Sequence, residues 1–236
     1  MLAVAASILP IASPVIGGEK LKVFILAGQS NMVGWGNSVE LASVARFGHD
    51  NRLVMYEGDK WQNLKPFKEP AKNQREGWNI TEHTFGPEIG FAAAMAKAWP
   101  DSKVGIVKQA VGGTAIMAWA PQWNKADADL TNDAGKGSLY KELINKVLAA
   151  KKSGNVEIRG FLWLQGGKDM ILTQTAERYR ENLKTLVEAV RRDVGIPDLP
   201  VLVGTYRQGN IPDSFDGVDL TKFTFESDKP RPGALT

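Results

Sequence analysis

The chain has 236 residues, 43% of them hydrophobic, so it can bury a large core, and its length is typical of one α/β domain. Its 29 basic residues are spread among 26 acidic ones, and the formal net charge of +3 does not indicate a nucleic-acid-binding protein. Cysteine is absent, which excludes disulfides, thiolate nucleophiles and cysteine-ligated zinc, and two histidines are too few for a histidine-rich metal site. We therefore expect neither a metal nor another cofactor.

The first 18 residues carry no charged side chain and are rich in alanine, valine, isoleucine and leucine. Pro10 and Pro14 interrupt this apolar stretch, which is also short for a membrane span. The pattern favours an export signal, although the positively charged start of a signal peptide is missing. We expect a signal peptide over residues 1–18, a single domain over residues 19–236, and a secreted or periplasmic protein without a stable membrane span. The alternative is an apolar tail that packs against the domain.

Strands and helices alternate along the rest of the chain. Buried strands are predicted from Val23 to the turn at Gly28, and over Leu53–Tyr56, Lys103–Val107, Ile158–Leu164 and Val201–Val203. Helices are predicted over Val39–Phe47, Ile89–Ala98, Ser138–Lys152 and Gln174–Asp193. This order predicts a parallel sheet with helices on both faces.

The segment from Glu57 to Thr84 has no hydrophobic period, which predicts a long loop. It contains Trp61 and Trp78, whose rings either offer flat faces to a sugar or pin the loop to the core.

Three of the predicted strands end in polar loops that contain glycine: Gly28-Gln-Ser30, Gly112-Gly-Thr114 and Gln165-Gly-Gly-Lys-Asp169. Parallel topology brings these loops to one edge of the sheet, where open α/β sheets bind ligands. Acyl transfer needs a nucleophile and donors for the developing oxyanion, and this edge offers a serine hydroxyl, backbone N–H groups and the Gln165 amide. The competing interpretation of Ser30 is a helix N-cap without a chemical role.

Two other kinds of site fit the sequence less well. A nucleotide site would need a GxGxxG motif or a P-loop, and Gly135-Lys136-Gly137 has neither the spacing nor the preceding strand. A glycoside hydrolase would need paired carboxylates, for which Glu88 and Asp169 are the candidates, but nothing in the sequence shows that they face each other. The GxSxG elbow of α/β-hydrolases is also absent.

The motifs together resemble those of the SGNH/GDSL hydrolase superfamily, within it the sialate O-acetylesterase-like group that includes acetyl xylan esterases of carbohydrate esterase family 6. The matching segments are Gly28-Gln-Ser-Asn-Met32, Gly86-Pro-Glu88, Val111-Gly-Gly-Thr114 with Trp119, and Trp163-Leu-Gln-Gly166 with Asp169. Their combination is specific where each piece alone is not. The resemblance implies an α/β fold of flavodoxin-like, three-layer type, and hydrolysis of acetyl esters on carbohydrate through an acyl-enzyme.

The resemblance also implies roles for single residues. Ser30 is the expected nucleophile, and its own N–H, the N–H of Gly113 and the Gln165 amide are the expected oxyanion hole. Substrate-binding or orienting roles are implied for the remaining motif residues, Gln29, Asn31, Glu88, Gly112, Thr114 and Asp169. The expected partner is an acetylated carbohydrate, with no cofactor, metal or nucleic acid.

The sequence departs from this group at two places. Gly167-Lys168 replaces the glutamate and serine that usually follow Gln-Gly in the third block, so an acid is missing and a cation is present. The general base of the group is a histidine in a late Asp-x-x-His block, and both His49 and His83 lie too early in the chain. Asp216-Gly-Val-Asp219 has the spacing but carries aspartate at the histidine position.

We therefore expect a chain that stops before the last strand and helix of its domain, which would leave Ser30 without a base and weakly nucleophilic at neutral pH. The alternative is a complete but inactive relative. Beside the favoured carbohydrate O-acetylesterase, two functions stay open: a non-catalytic carbohydrate-binding relative, and a lipid or thioester hydrolase of the wider superfamily. The sugar, the ester position and the oligomeric state are not predicted.

Overall fold

The computed structural model describes residues 20–38, 41, 50–68 and 83–204, and the backbone of 214–215 and 218–219. The strands are β1 (Leu21–Gly28), β2 (Gly36–Asn37), β3 (Leu53–Glu57), β4 (Lys60–Asn63), β5 (Phe67–Lys68), β6 (His83–Phe85), β7 (Val104–Ala110), β8 (Val156–Leu164), β9 (Val201–Gly204), β10 (Ser214–Phe215) and β11 (Val218–Asp219). The helices are α1 (Ser30–Val33), α2 (Pro87–Ala98), α3 (Lys125–Asp129), α4 (Leu139–Lys152) and α5 (Thr173–Val194). Short 3₁₀ turns cover Ile116–Trp119, Ala134–Lys136 and Asp169–Ile171.

The main sheet has six strands in the order β4-β3-β7-β1-β8-β9. All neighbours pair in parallel except β3 and β4, which form an antiparallel hairpin. At the centre of the sheet, Ile25 of β1 lies opposite Val107 of β7 and Phe161 of β8. Because β1 is covered on both faces, it is a continuous apolar run rather than an alternating one. The predicted central parallel sheet is confirmed.

Successive side chains of β1 point to opposite faces of the sheet and so belong to two separate cores. Phe24 and Leu26 pack with Ile89 of α2 on one face. Ile25 packs with Leu143 of α4 and Leu186 of α5 on the other. Helices therefore cover both faces, which confirms the predicted three-layer α/β/α sandwich.

The helix boundaries follow from residues at their ends. Pro87 begins α2, where its missing N–H is not needed, and Glu88 lies in the first turn. Ser138 is the N-cap of α4, and its side chain accepts a hydrogen bond from the backbone N–H of Lys141. Gly195 ends α5 in the left-handed conformation, with φ 79°.

The prediction of one long loop from Glu57 to Thr84 is wrong, because this segment contains β4, β5 and the start of β6. The turn between β3 and β4 consists of Gly58 and Asp59, with φ values of 54° and 62°, which is typical of a tight hairpin. The sequence did not predict the hairpin because Lys60–Asn63 is short and mostly polar. Its sequence signal was the two-residue Gly-Asp turn.

Trp61 packs on Tyr56 with ring centroids 5.2 Å apart, and its Nε1 donates to Ser153 Oγ at 2.8 Å. Of the two interpretations of this tryptophan, packing against the core is confirmed.

Some predictions fall outside the described residues, namely the signal peptide over 1–18, most of the helix over Val39–Phe47, His49, Trp78 and the side chains of Asp216-Gly-Val-Asp219. Among the helices that the structure describes, none combines the length and the apolar character needed to span a membrane.

Candidate active site

The predicted nucleophile lies where β1 turns directly into α1. Gln29 occupies the N-cap position and Ser30 is the first helical residue, so the N-cap interpretation of Ser30 is wrong. The Ser30 side chain is partly exposed, and within the described part of the chain its Oγ has no hydrogen-bond partner, histidine included. The hydroxyl is therefore available to a substrate.

Gly28 joins the three loops at the carboxyl edge of the sheet. It pairs with Leu164 of β8, and a Cβ added to it would lie 2.1 Å from Leu164 O, so only glycine fits. Next to it, Gln29 N donates to the same carbonyl oxygen at 3.1 Å, and Gly28 O accepts from Val111 N at 3.0 Å. The predicted convergence of the three strand ends is therefore present, and backbone hydrogen bonds hold it together.

The second loop presents two exposed glycines, Gly112 and Gly113. Gly113 has φ +63° with no atom within 4 Å of an added Cβ, so the position requires glycine for its conformation rather than for space. Behind the glycines, Thr114 Oγ1 donates to Val111 O at 2.9 Å and accepts from Trp119 Nε1 at 3.2 Å. No described residue accepts a hydrogen bond from the N–H of either glycine, so both groups can donate to a ligand.

Gln165 is 3% exposed and connects all three loops. Its Nε2 lies 2.6 Å from Asp169 Oδ2, 2.8 Å from Thr114 O and 3.5 Å from Gln29 Oε1. The three acceptors fix the orientation of the amide, because a flipped amide would place its oxygen against a carboxylate and a carbonyl. An amide nitrogen has two hydrogens, so an oxyanion would have to compete with acceptors that Gln165 already has.

Asp169 lies directly behind Gln165 and is 1% exposed. Both of its carboxylate oxygens lie 3.1 Å from Ile116 N, and its backbone oxygen accepts from Thr175 Oγ1 at 2.6 Å. Burial raises the pKa of Asp169 to about 6, although the hydrogen bonds from Gln165 and Ile116 oppose this rise. These contacts suit the orienting role expected for Asp169.

Asp133 is an acid that sequence reasoning missed, and its side chain is fully buried. Its Oδ2 accepts from Ala115 N at 2.9 Å and Thr131 Oγ1 at 2.8 Å, while Oδ1 accepts from Lys136 at 2.6 Å and Lys168 at 2.8 Å. Burial opposes the charged form, but the hydrogen bonds hold the pKa of Asp133 below its ordinary value. Asp133 explains the unexpected cation of the third block, because it is the partner of Lys168.

Glu88 is also 1% exposed, but it lies on the α2 side of the sheet. It accepts from Gly86 N at 2.9 Å and from Lys108 Nζ at 2.6 Å, and Lys108 Nζ also donates to Val33 O at 2.7 Å. Burial lowers the pKa of Lys108, against the attraction of Glu88. Since neither Glu88 nor Asp169 faces solvent, the pair does not fit the two open carboxylates of a glycoside hydrolase.

The structure thus brings together Ser30, Gly113 and Gln165 of the predicted catalytic set. Of the residues expected to bind or orient substrate, those in the same assembly are Gln29, Gly112, Thr114 and Asp169, with Asn31 exposed next to Ser30. Glu88 is connected to the end of α1 through Lys108 rather than to the other loops. His83 lies in β6, in a small sheet with β2 and β5.

Comparison with known proteins gives a consistent result. Residues 20–223 match the family described as carbohydrate esterase, sialic acid-specific acetylesterase. A probable carbohydrate esterase of Arabidopsis thaliana is 30% identical over 203 residues, which cover 77% of this chain and 67% of that protein. An X-ray structure of the same Arabidopsis protein superposes with a TM-score of 0.55 at 25% identity, covering 78% of this chain and 73% of the other.

Two further structures share the fold at lower identity. NanS superposes with a TM-score of 0.56 at 18% identity, over 79% of this chain and 68% of NanS. A carbohydrate acetylesterase from Xanthomonas citri superposes with a TM-score of 0.50 at 24% identity, over 77% of this chain and 40% of that protein. From the match over residues 20–223 and the Arabidopsis relative, the chain belongs to the sialic acid-specific acetylesterase family of carbohydrate esterases.

Proposed function

We propose that the protein is a serine esterase that removes O-acetyl groups from carbohydrate through an acyl-enzyme. One observation carries the proposal. The Ser30 hydroxyl and the N–H groups of Gly112 and Gly113, which have no acceptor among the described residues, lie on neighbouring loops joined by the Val111 N to Gly28 O hydrogen bond. Acyl transfer requires a nucleophilic hydroxyl beside backbone donors for the oxyanion, together with a base that takes the proton of the hydroxyl. Family membership supports the substrate class, which is an acetylated carbohydrate.

In the first proposed step, Ser30 Oγ attacks the acetyl carbonyl carbon and loses its proton to a base. The carbonyl oxygen becomes an oxyanion, which accepts hydrogen bonds from the N–H groups of Ser30 and Gly113. The sugar hydroxyl then leaves with the proton, and acetyl-Ser30 remains. Water attacks this ester, acetate departs, and the Ser30 hydroxyl is restored. The resemblance assigns the base to a histidine of an Asp-x-x-His block, a motif that the 236-residue sequence does not contain.

We assign Gln165 a supporting part in the oxyanion hole. Its amide donates to Thr114 O and Asp169 Oδ2, and it would have to give up one of these bonds to donate to an oxyanion. The backbone donors need no such exchange, so in this proposal they carry most of the stabilisation. With these two hydrogen bonds, Gln165 holds the second and third loops together.

Export is a separate part of the proposal, and it rests on the uncharged, apolar composition of residues 1–18. Expression of the chain in a bacterium with a periplasm, followed by fractionation and N-terminal sequencing, tests it. A processed protein in the periplasm supports export, whereas an unprocessed protein in the cytoplasm contradicts it.

The enzymatic proposal is tested by acetate release from acetylated xylan, O-acetylated sialic acid and a small aryl acetate. The assay uses the 236-residue protein and a version extended by a segment with an Asp-x-x-His block. We expect Ser30-dependent release, with Ser30→Ala lowering kcat/KM by at least about 10³-fold. Ser153→Ala is the matched control, because this serine lies at the end of α4.

Activity that persists unchanged in Ser30→Ala would overturn the assignment of the nucleophile. Absence of cleavage of all three substrates by both versions would overturn the esterase. Glycan binding that survives Ser30→Ala without cleavage would favour the non-catalytic carbohydrate-binding alternative, and a preference for long acyl chains would favour the lipid or thioester hydrolase.

A further inference from the structure

The Gly112–Gly113 turn is exposed and made of the residue type with the greatest conformational freedom, so it needs restraints from outside to hold one geometry. The residues on either side of the turn, Val111 and Thr114, are fixed by hydrogen bonds. Val111 N donates to Gly28 O at 3.0 Å, and Thr114 O accepts from Gln165 Nε2 at 2.8 Å. Between these two points, the described residues provide one further hydrogen bond to the turn, and it acts on Gly113.

That restraint is Lys136, whose Nζ donates to Gly113 O at 2.8 Å. In the described part of the chain no other group donates to this oxygen. The N–H and the carbonyl of Gly113 lie in adjacent peptide planes that meet at its Cα, where φ is +63°. A hydrogen bond to the carbonyl therefore restricts the rotations about that Cα which set the direction of the N–H. Lys136 thereby acts on the proposed oxyanion donor through the backbone of Gly113.

Lys136 is itself held in place. Its Nζ lies 2.6 Å from Asp133 Oδ1, and the buried Asp133 is anchored by Ala115 N and Thr131 Oγ1. Charge-assisted hydrogen bonds of this kind are shorter and stronger than neutral ones. The lysine side chain is 31% exposed, and its ammonium group bridges the buried Asp133 carboxylate and the Gly113 carbonyl.

We propose that Lys136 is a positioning residue of the esterase site, which fixes the Gly113 N–H toward the oxyanion through its hydrogen bond to Gly113 O. The inference rests on the proposed function for its catalytic consequence, but the ordering of the turn can be measured independently of any activity.

Lys168 provides a matched control. Its Nζ shares Asp133 Oδ1 with Lys136, at 2.8 Å, and its side chain is 20% exposed. No hydrogen bond joins Lys168 to Gly113 in the described part of the chain. Lys168→Met therefore removes a cation from Asp133 in the same way as Lys136→Met, but leaves the bond to Gly113 O intact.

The first measurement is the ¹⁵N relaxation of the Gly112 and Gly113 amides in the 236-residue protein. We expect Lys136→Met to lower the heteronuclear NOE of these amides while amides of the central sheet keep theirs. Lys136→Arg is expected to restore the order, and Lys168→Met to leave it unchanged. The inference is overturned if the turn is as ordered in Lys136→Met as in the parent protein, or if Lys168→Met loosens it equally.

The second measurement is kcat and KM on a small aryl acetate, with the version of the protein that releases acetate. Lys136→Met is expected to lower kcat about 10- to 100-fold with KM changed by less than about threefold, because the donor acts in the transition state. Lys136→Arg should recover most of the loss, and Lys168→Met should stay within about threefold of the parent. An unchanged kcat in Lys136→Met overturns the catalytic part of the inference. Absence of any Ser30-dependent acetate release overturns the proposed function instead, and the relaxation data still decide whether Lys136 orders the turn.

Discussion

Asp169 is a buried acid at the centre of the site, and its ionisation is coupled to the stability of the fold. Its pKa is raised from 3.8 to about 6 because the carboxylate is buried, so the folded protein keeps this proton over a pH range in which the unfolded chain has lost it. The resulting stabilisation is fully present below pH 3.8 and is lost as the pH rises through about 6. The whole difference corresponds to about 3 kcal/mol.

Asp169→Asn should remove this pH dependence, because asparagine does not titrate. We expect the difference in unfolding free energy between Asp169→Asn and the parent protein to shift by about 2 kcal/mol in favour of the variant between pH 4 and pH 7, since part of the whole difference is already lost at pH 4. Urea denaturation at several pH values measures it. A constant difference across this range would show that the pKa of Asp169 is not raised.

Prediction from the sequence located some residues of the site and missed others. Ser30, Gly113 and Gln165 could be located because each follows a buried strand, and topology brings such strand ends together. Asp133 could not be located, since it lies in a turn without periodicity, 35 residues before its partner Lys168. The signal available was indirect: Lys168, a cation among the loops of the site, required an acid that the motif did not supply.

Among the elements, α5 supports the third loop through Tyr179. Its hydroxyl donates to Gln165 O at 2.7 Å and accepts from Trp163 Nε1 at 3.1 Å. Burial raises the pKa of Tyr179, so the hydroxyl stays protonated and keeps both bonds throughout the neutral range. The long helix α5, which lies outside the site, is therefore hydrogen-bonded to the backbone of Gln165, the residue that links the loops.

Tyr179→Phe should lower the unfolding free energy by about 1–3 kcal/mol, because it leaves a carbonyl and an indole N–H without their partner. Tyr140→Phe is the matched control. Tyr140 donates to Asp193 Oδ2 at 2.5 Å, but the Asp193 side chain is 29% exposed and can bind water instead. Chemical denaturation of both variants should find Tyr179→Phe the more destabilised, and the reverse order would contradict the role given to α5.

Elements differed in how well the sequence predicted them. The central strands and the long helices have strong hydrophobic patterns because other layers cover them. The sequence therefore predicts these elements. The strands β4, β5 and β6 were missed, since they lie at edges and in a small sheet where few positions are buried. A polar strand such as Lys60–Asn63 has the composition of a loop, and only its pairing with β3 makes it a strand.

In the molecule as a whole, an ion pair connects the sheet with the layer on the α2 side. Lys108 of β7 lies 2.6 Å from Glu88 of α2 and also donates to Val33 O at the end of α1. The two side chains are 11% and 1% exposed, so loss of one partner leaves the other charge in a poorly solvated place.

Lys108→Met is therefore expected to lower the unfolding free energy by about 3–5 kcal/mol. The double variant Lys108→Met/Glu88→Gln should recover a large part of that loss, because it no longer buries an unpaired carboxylate. Urea denaturation of the two single variants and the double variant measures the coupling. Additive losses would contradict the ion pair as the connection between the two layers.

The hairpin of β3 and β4 has a consequence for behaviour at high concentration. Sheets with an open, apolar outer strand associate edge to edge, and proteins avoid this with short outer strands that carry charged and polar side chains. On the β3 side, the outermost strand is the four-residue β4, with Lys60 and Asn63 exposed. The hairpin that interrupts the parallel order thus also protects this flank of the protein from polymerisation.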